Sequence, residues 1–297
     1  MGKSRNFRRL RWLLCLAVLM SLAGCASAGP DAYSRAVENY SRGRIAEALS
    51  EYREAIRVNP DDPKPKFNMA VIFQDQGRVE EAESIYRAIL DRNPGYAPAW
   101  SNLASVQEKR GQADAAEKSY RRALEVDRDN PWAASQFGYF YFRAGRLDEA
   151  RALFEESLRR NPRCSNAWFG LAEIAEKRGD AGAAIKDYDK VILFNPSDLP
   201  AYLRAADLRI ARGERDAAIG LLRRAVKVDP RRSDIHFLLG RLLREAGKWK
   251  EAEKAFDEAK DTGTPPAECD RELSFVYTKL AEEAAAGAGG ERSETRK

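Results

Sequence analysis

Apolar positions along the chain recur on two periods at once. Over short stretches they follow helical spacing: Trp100, Leu103 and Ala104 with Gln107 on one segment, then Ala116, Tyr120 and Ala123 at i, i+4 and i+7 on the next. The whole pattern then returns every 34 residues. Glycine stands at 43, 77, 111, 145, 179, 213 and 247, and alanine at 48, 82, 116, 150, 184, 218 and 252. Proline marks 60, 94, 162, 196 and 230, with Arg128 in the one interior gap and Thr264 ending the series. A period of this length identifies repeated supersecondary units. The pattern predicts seven pairs of helices over residues 31–266.

Each recurring residue has a mechanical reason. Small residues at Ala36, Ala70, Ala104, Gly138, Ala172, Ala206 and Gly240 let a facing helix approach, and the second-helix alanine supplies the other half of that contact. Tyr52, Tyr86, Tyr120, Phe154, Tyr188, Leu222 and Phe256 are expected to fill the space between units. The glycine ends the first helix, where a left-handed backbone costs it no Cβ clash. The proline, having no amide to donate, stands where the second helix stops. The unit resembles the tetratricopeptide repeat, a helix–turn–helix module, over about residues 29–266. The resemblance implies an all-α, right-handed solenoid of seven repeats. Such a stack exposes an apolar face at its end. Residues 267–283 are expected to form a capping helix with Leu273, Val276, Tyr277 and Leu280 on one stripe. Residues 284–297, rich in Ala and Gly and then charged, read as a disordered tail.

The first 24 residues have a different character. Five cations in residues 1–11 precede an apolar run over 12–23 and then small residues, the order of a secretory signal. Twelve helical residues reach only about 18 Å, against about 30 Å of hydrocarbon in a bilayer. The uncharged stretch continues to Pro30, which leaves an uncleaved anchor as the alternative. Leu22-Ala23-Gly24-Cys25 resembles the lipobox of bacterial lipoproteins. That resemblance implies cleavage before Cys25, acylation of Cys25 and a short linker over residues 25–30. It also implies a lipid-anchored place in the cell envelope; Ala26 after the cysteine suggests the outer membrane, facing the periplasm.

Composition narrows the chemistry. The formal charge is +5, but the leader holds five of the 51 Lys and Arg and none of the 46 acids, so the remainder is neutral. Apparent basicity therefore gives no support for nucleic acid as a partner. His236 is the only histidine, and it falls where Trp100 and Trp168 stand in other units, as a packed helix residue. Cys164 and Cys269 are three units apart, too far for a disulfide, which needs Cα atoms within about 7 Å. No nucleophile–base–orienter set and no glycine-rich phosphate loop appears. The expectation is a non-catalytic protein with no cofactor, no metal and no small-molecule substrate.

Candidate binding residues follow from the resemblance, since proteins of this family usually bind peptides on the concave face lined by first helices. Trp132, Ser135, Tyr139 and Phe142 make one helical stripe there, extended by Phe67, Phe169 and Phe237. Such a stripe is either a docking patch or ordinary packing between units. Lys109, Arg143 and Lys177 recur at one-unit spacing and, with Asn68 and Asn102, could orient an acidic ligand. The competing explanation is that cations near helix carboxyl ends offset the dipole for about 0.3–1 kcal/mol each. No three consecutive units carry the residue set of the family's carboxylate-clamp members. The expected function is a membrane-anchored scaffold that holds protein segments during assembly of envelope machinery, for pili and secretion, peptidoglycan or exopolysaccharide. The alternative is a purely architectural or self-associating spacer.

Overall fold

The computed structural model describes residues 31–294, and all regular structure among them is helical. The chain divides after Val126 into two compact units. The first contains three helix hairpins: α1 (Ala32–Ser41) with α2 (Ile45–Val58), α3 (Pro63–Asp75) with α4 (Val79–Arg92), and α5 (Ala97–Lys109) with α6 (Ala113–Val126). The second contains four: α7 (Pro131–Arg143) with α8 (Leu147–Arg160), α9 (Ser165–Lys177) with α10 (Ala181–Phe194), α11 (Leu199–Ala211) with α12 (Arg215–Val228), and α13 (Ser233–Glu245) with α14 (Trp249–Thr262). Helix α15 (Pro266–Glu294) packs on α14 and α13. Within each unit the second helix of one hairpin packs on the first helix of the next. The division falls at the one interior gap in the proline series, where Arg128 stands.

The turns form as the repeated glycines require. At the end of α9, Gly179 has φ +76° and the Asp180 amide donates to the Ala175 carbonyl at 2.9 Å, the six-to-one bond of a Schellman turn. The same geometry recurs at the other six glycines of the series, all with φ between +69° and +76°. A side chain there would force a left-handed backbone that only glycine adopts without strain. Second helices end before the prolines on an extended residue, as at Asn59 and Asn195, since proline disfavours a helical predecessor.

The two cores repeat one contact. All seven second-helix alanines are fully buried, as are the facing small residues of the first helices. Tyr52, Tyr86, Phe154, Tyr188, Leu222 and Phe256 lie wedged beside them at 1% exposure or less, and Tyr120 at 3%. Each such side chain contributes roughly 1.5–3 kcal/mol by leaving water. Where the ring is closest to its neighbours, glycine replaces alanine. A Cβ on Gly138 would lie 2.8 Å from the Phe154 ring, and one on Gly240 2.8 Å from Phe256. Phe154 also presses on Gly170 of the following hairpin, where a Cβ would come within 2.3 Å.

Most polar groups inside this framework are paired, Gln136 Oε1 being one buried atom that is not. Ser135 is 1% exposed; its Oγ donates to the Pro131 carbonyl at 2.9 Å and lies 2.9 Å from Ser157 Oγ and 3.5 Å from Cys164 Sγ. Cys164 and Cys269 are both buried and neither forms a disulfide. Glu83, 5% exposed, takes Arg87 at 2.7 Å and Arg110 from the next hairpin; burial raises its pKa, and the two guanidiniums outweigh that and hold it low. On α15, Cys269, Leu273 and Val276 are buried, whereas Tyr277, expected on the same stripe, is 49% exposed at its edge. The helical backbone also continues to Glu294, past the expected end of the cap at 283. Ala284, Ala285 and Ala286, strong helix formers, carry it on.

Two predictions follow from this packing. Gly170→Ala should destabilise the second unit by about 1–3 kcal/mol, because the buried Phe154 ring has no room to turn. Phe154→Leu should relieve part of that cost, so a double-mutant cycle in urea unfolding should show coupling and additive losses would contradict the contact. Asp187 on α10 supplies the second. Burial, opposed by Arg151 and reinforced by Asp180, pushes its carboxyl up to about 6 from an ordinary 3.8. Folding therefore holds the proton more tightly than the unfolded chain does, and the penalty grows as pH rises from the unfolded value toward the folded one. Asp187→Asn should be more stable than the parent at about pH 7 and lose that advantage at about pH 4, measured by urea unfolding at both.

Candidate functional site

The first helices present one face that neither the facing helix nor the next hairpin fully covers, and each unit lines it differently. In the first unit this face is neutral and amide-rich. Asn68 Nδ2 donates to the hydroxyls of Tyr52 at 3.1 Å and Tyr33 at 3.3 Å, and Asn102 Nδ2 donates to Tyr86 at 3.1 Å. Tyr86 in turn donates to Gln74 Oε1 at 3.2 Å. The two asparagines thus tie the buried tyrosine of one hairpin to the first helix of the next, sixteen residues on. Phe67 packs at 5.7 Å from the Tyr86 ring and edge-on at 5.6 Å from Tyr96. Lys109 is exposed at the end of α5.

In the second unit the face is aromatic at one end and charged beyond it. Tyr139 stands edge-on to Phe154 at 4.9 Å, and its hydroxyl donates to the Asn166 carbonyl at 3.1 Å. Burial, reinforced by Glu173, pushes its phenol far above the ordinary value. Phe142 lies edge-on to Tyr139 at 6.4 Å, and the Lys177 ammonium sits 4.3 Å from the Phe142 ring centroid, a cation–π contact. Arg143 is exposed at the end of α7. Trp132 belongs to the first turn of the same helix, where the Asn130 side chain caps its amide at 3.0 Å, and its ring is 54% exposed. Phe169 and Phe237 meet the rings of Tyr188 at 5.1 Å and Phe256 at 5.6 Å. Tyr139, Phe142 and Lys177 therefore come together; Trp132 stands apart on the outer turn, and Ser135 turns inward. Cys25, the expected lipidation site, lies outside the described residues.

Sequence reading passed over the acidic part of this face. Glu173 on α9 and Asp207 on α11 occupy the register position of Tyr139 in the next two hairpins. Glu173 is partly buried and Asp207 is exposed, and among the described residues neither makes a hydrogen bond or ion pair. Burial raises both carboxyl pKa values, with Arg204 opposing and Glu176 adding. Glu176 itself accepts from the Tyr188 hydroxyl and lies 3.6 Å from Arg204. The signal was available as the 34-residue series Tyr139, Glu173, Asp207, which changes chemistry while its neighbours keep theirs. The face offers aromatic surface next to one half-buried and one exposed carboxylate, suited to a chain segment that brings both apolar carbon and hydrogen-bond donors. His236 is 6% exposed with Nε2 3.0 Å from the Pro230 carbonyl, a packed residue. Among the described residues no three His, Cys, Asp or Glu side chains gather as a metal site.

Comparison with known proteins agrees with this architecture. Models of the tetratricopeptide repeat family match residues 40–106, 75–136, 136–200 and 203–267. Over 96 residues, 32% of the chain, it is 27% identical to the human Superkiller complex protein 3, of which that stretch is 6%. The chain spans between 6% and 27% of the length of the curated relatives it matches. Among solved structures, yeast Tom70 superposes with a TM-score of 0.61 at 20% identity, covering 85% of this chain and 54% of that one. Pseudomonas aeruginosa pilF superposes with a TM-score of 0.57 at 19% identity, covering 73% and 97%. These likenesses describe the fold. With four matches that together span most of its length, the chain belongs to the tetratricopeptide repeat family.

Proposed function

We propose that the protein is a non-catalytic, lipid-anchored adaptor of the cell envelope that holds extended segments of partner proteins during assembly of a larger machine. Membership of the tetratricopeptide repeat family supports a protein-interaction scaffold. The leader and Leu22-Ala23-Gly24-Cys25 support the anchor. One acyl chain binds a membrane only marginally and two or more hold it durably. The observation that carries the binding role is the face of α7, α9 and α11. Glu173 is kept partly desolvated and without a direct partner among the described residues, an arrangement that costs stability unless a ligand completes it, and Asp207 stands exposed at the same register one hairpin on. Phe142 and Lys177 would cover the apolar and acidic groups of the same segment, with Tyr139 as a rigid wall. Taken by itself, the first unit would offer hydrogen bonds and charge through Asn68, Asn102 and Lys109, with Phe67 beneath; in the second unit, Arg143, Phe169, Phe237 and Trp132 flank the Tyr139–Glu173 face.

A photo-crosslinking residue in place of Phe142 should capture a discrete polypeptide in cells, and one in place of Leu193, exposed on α10, should not. Adding Glu173→Gln and Asp207→Asn should lower that capture about fivefold or more at unchanged helical circular dichroism, a loss on the scale of one or two hydrogen bonds to charged groups. Equal capture from both positions, or capture indifferent to the two carboxylates, would refute the binding face. Cys25→Ser should release the protein from the membrane fraction into the soluble one; a variant that still sediments with membranes would refute the acyl anchor.

A further inference from the structure

The face of α7, α9 and α11 continues beyond Asp207 and reverses its charge. The same register position falls on Arg241 in α13 and Phe275 in α15, so across the whole second unit it reads Tyr139, Glu173, Asp207, Arg241, Phe275. Helices α13 and α15 pack on each other. Arg244 follows Arg241 by one turn on the same side of α13, and its guanidinium lies 5.3 Å from the Phe275 ring centroid. The Trp249 ring stands edge-on to Phe275 at 6.0 Å, and the Lys279 ammonium is 5.9 Å from its centroid. Framed by these neighbours, Phe275 is still 46% exposed.

Several cations near this face are paired within the fold. Arg204 lies 3.6 Å from Glu176, Arg215 3.4 Å from Glu245 and Arg244 2.8 Å from Glu272, and Lys279 pairs with Glu282 at 2.7 Å. Arg241 differs: it is exposed and, among the described residues, makes no hydrogen bond or ion pair. Glu245 stands one turn along the same helix, within reach by sequence spacing, but is engaged by Arg215. Asp207, one hairpin before Arg241, also has no partner among the described residues. A carboxylate and a guanidinium thus stand at successive steps of one face, each open to a ligand, with an exposed ring at the next step.

We infer that the polypeptide segment held on this face is dipolar, with a lysine or arginine against Glu173 and Asp207, a carboxylate against Arg241 and an apolar side chain against Phe275. The inference rests on the first-helix face of the second unit being the binding surface, and adds an order of charges to it. Packed helices stand about 8–10 Å apart, and an extended chain advances about 3.3 Å per residue. One hairpin step therefore takes about three residues of the segment, which sets the spacing between its base, its acid and its apolar group. A segment of one charge sign gains at one end of the face and is repelled at the other. A segment with the opposite order sets like charges together at both ends, and such repulsion rejects wrong partners more strongly than lost attraction does. Because Asp207 and Arg241 are exposed, their share of the binding weakens with salt.

The test is selection of displayed random peptides, about twelve residues long, on the immobilised full-length chain. Enriched peptides should carry a lysine or arginine, an aspartate or glutamate about three residues from it, and an apolar residue about three beyond. One such peptide, labelled and followed by fluorescence anisotropy, should bind Arg241→Glu about tenfold more weakly than the parent and recover most of that loss when its acid is exchanged for lysine. Phe275→Ala should weaken it about threefold. Arg241 is exposed and unpaired, so its substitution should leave the helical circular dichroism unchanged. Peptides enriched without this order of charges, affinity indifferent to Arg241→Glu, or no enrichment at all would overturn the dipolar segment. If the enriched peptides ignore Arg241→Glu but are weakened by Glu173→Gln with Asp207→Asn, the binding face stands and only the order of charges falls; indifference to all three substitutions would overturn both.

Discussion

The structure depends on one contact, repeated: a second-helix alanine with no exposed surface set against a small residue of the first helix, with a large side chain, a ring everywhere but at Leu222, wedged beside them. Small residues let the paired helices come close, and closeness lets the ring of each hairpin reach its successor. No hairpin can bury its apolar faces alone, so stability arises between neighbours rather than within a unit. The tightest version is Phe154, which contacts Gly138 in its own hairpin and Gly170 in the next. A ring there leaves no space for even one Cβ on either side, which couples three helices through a single side chain.

That constraint separates positions that are free to change from those that are not. Alanine, turn glycine and wedge ring are spent on the stack, whereas first-helix positions outside it vary from unit to unit. Tyr139, Glu173 and Asp207 share one register position and pass from a phenol to two carboxylates. A repeat protein diversifies by altering what the stack leaves exposed, and the candidate binding face of the second unit arises in that way.

Much of this was legible in the sequence because a fixed period converts position into environment. The buried alanines, the positive-φ glycines and the wedge residues were all readable from spacing. The hydroxyl network was not, because it joins residues sixteen apart on different hairpins, as in Asn68 with Tyr52 and Asn102 with Tyr86. Nor was the inward turn of Ser135. Its helical neighbours suggested an exposed stripe, but its small side chain bonds the Pro131 carbonyl and faces Ser157 instead. Trp132 differs from it: it sits on the first helical turn, before the packed part of the stripe begins, and stays exposed. The division after Val126 was foreshadowed only by the missing proline at 128.

The central claim is that the first-helix face of the second unit, and not the outer surface of its second helices, is where the main partner segment lies. Hydrogen exchange on the full-length chain, alone and joined to the polypeptide captured at position 142, tests it most directly. The account predicts added protection concentrated in α7, α9 and α11, with α8 and α10 little changed. Protection confined to α8 and α10, or none beyond the crosslinked residue, would contradict it.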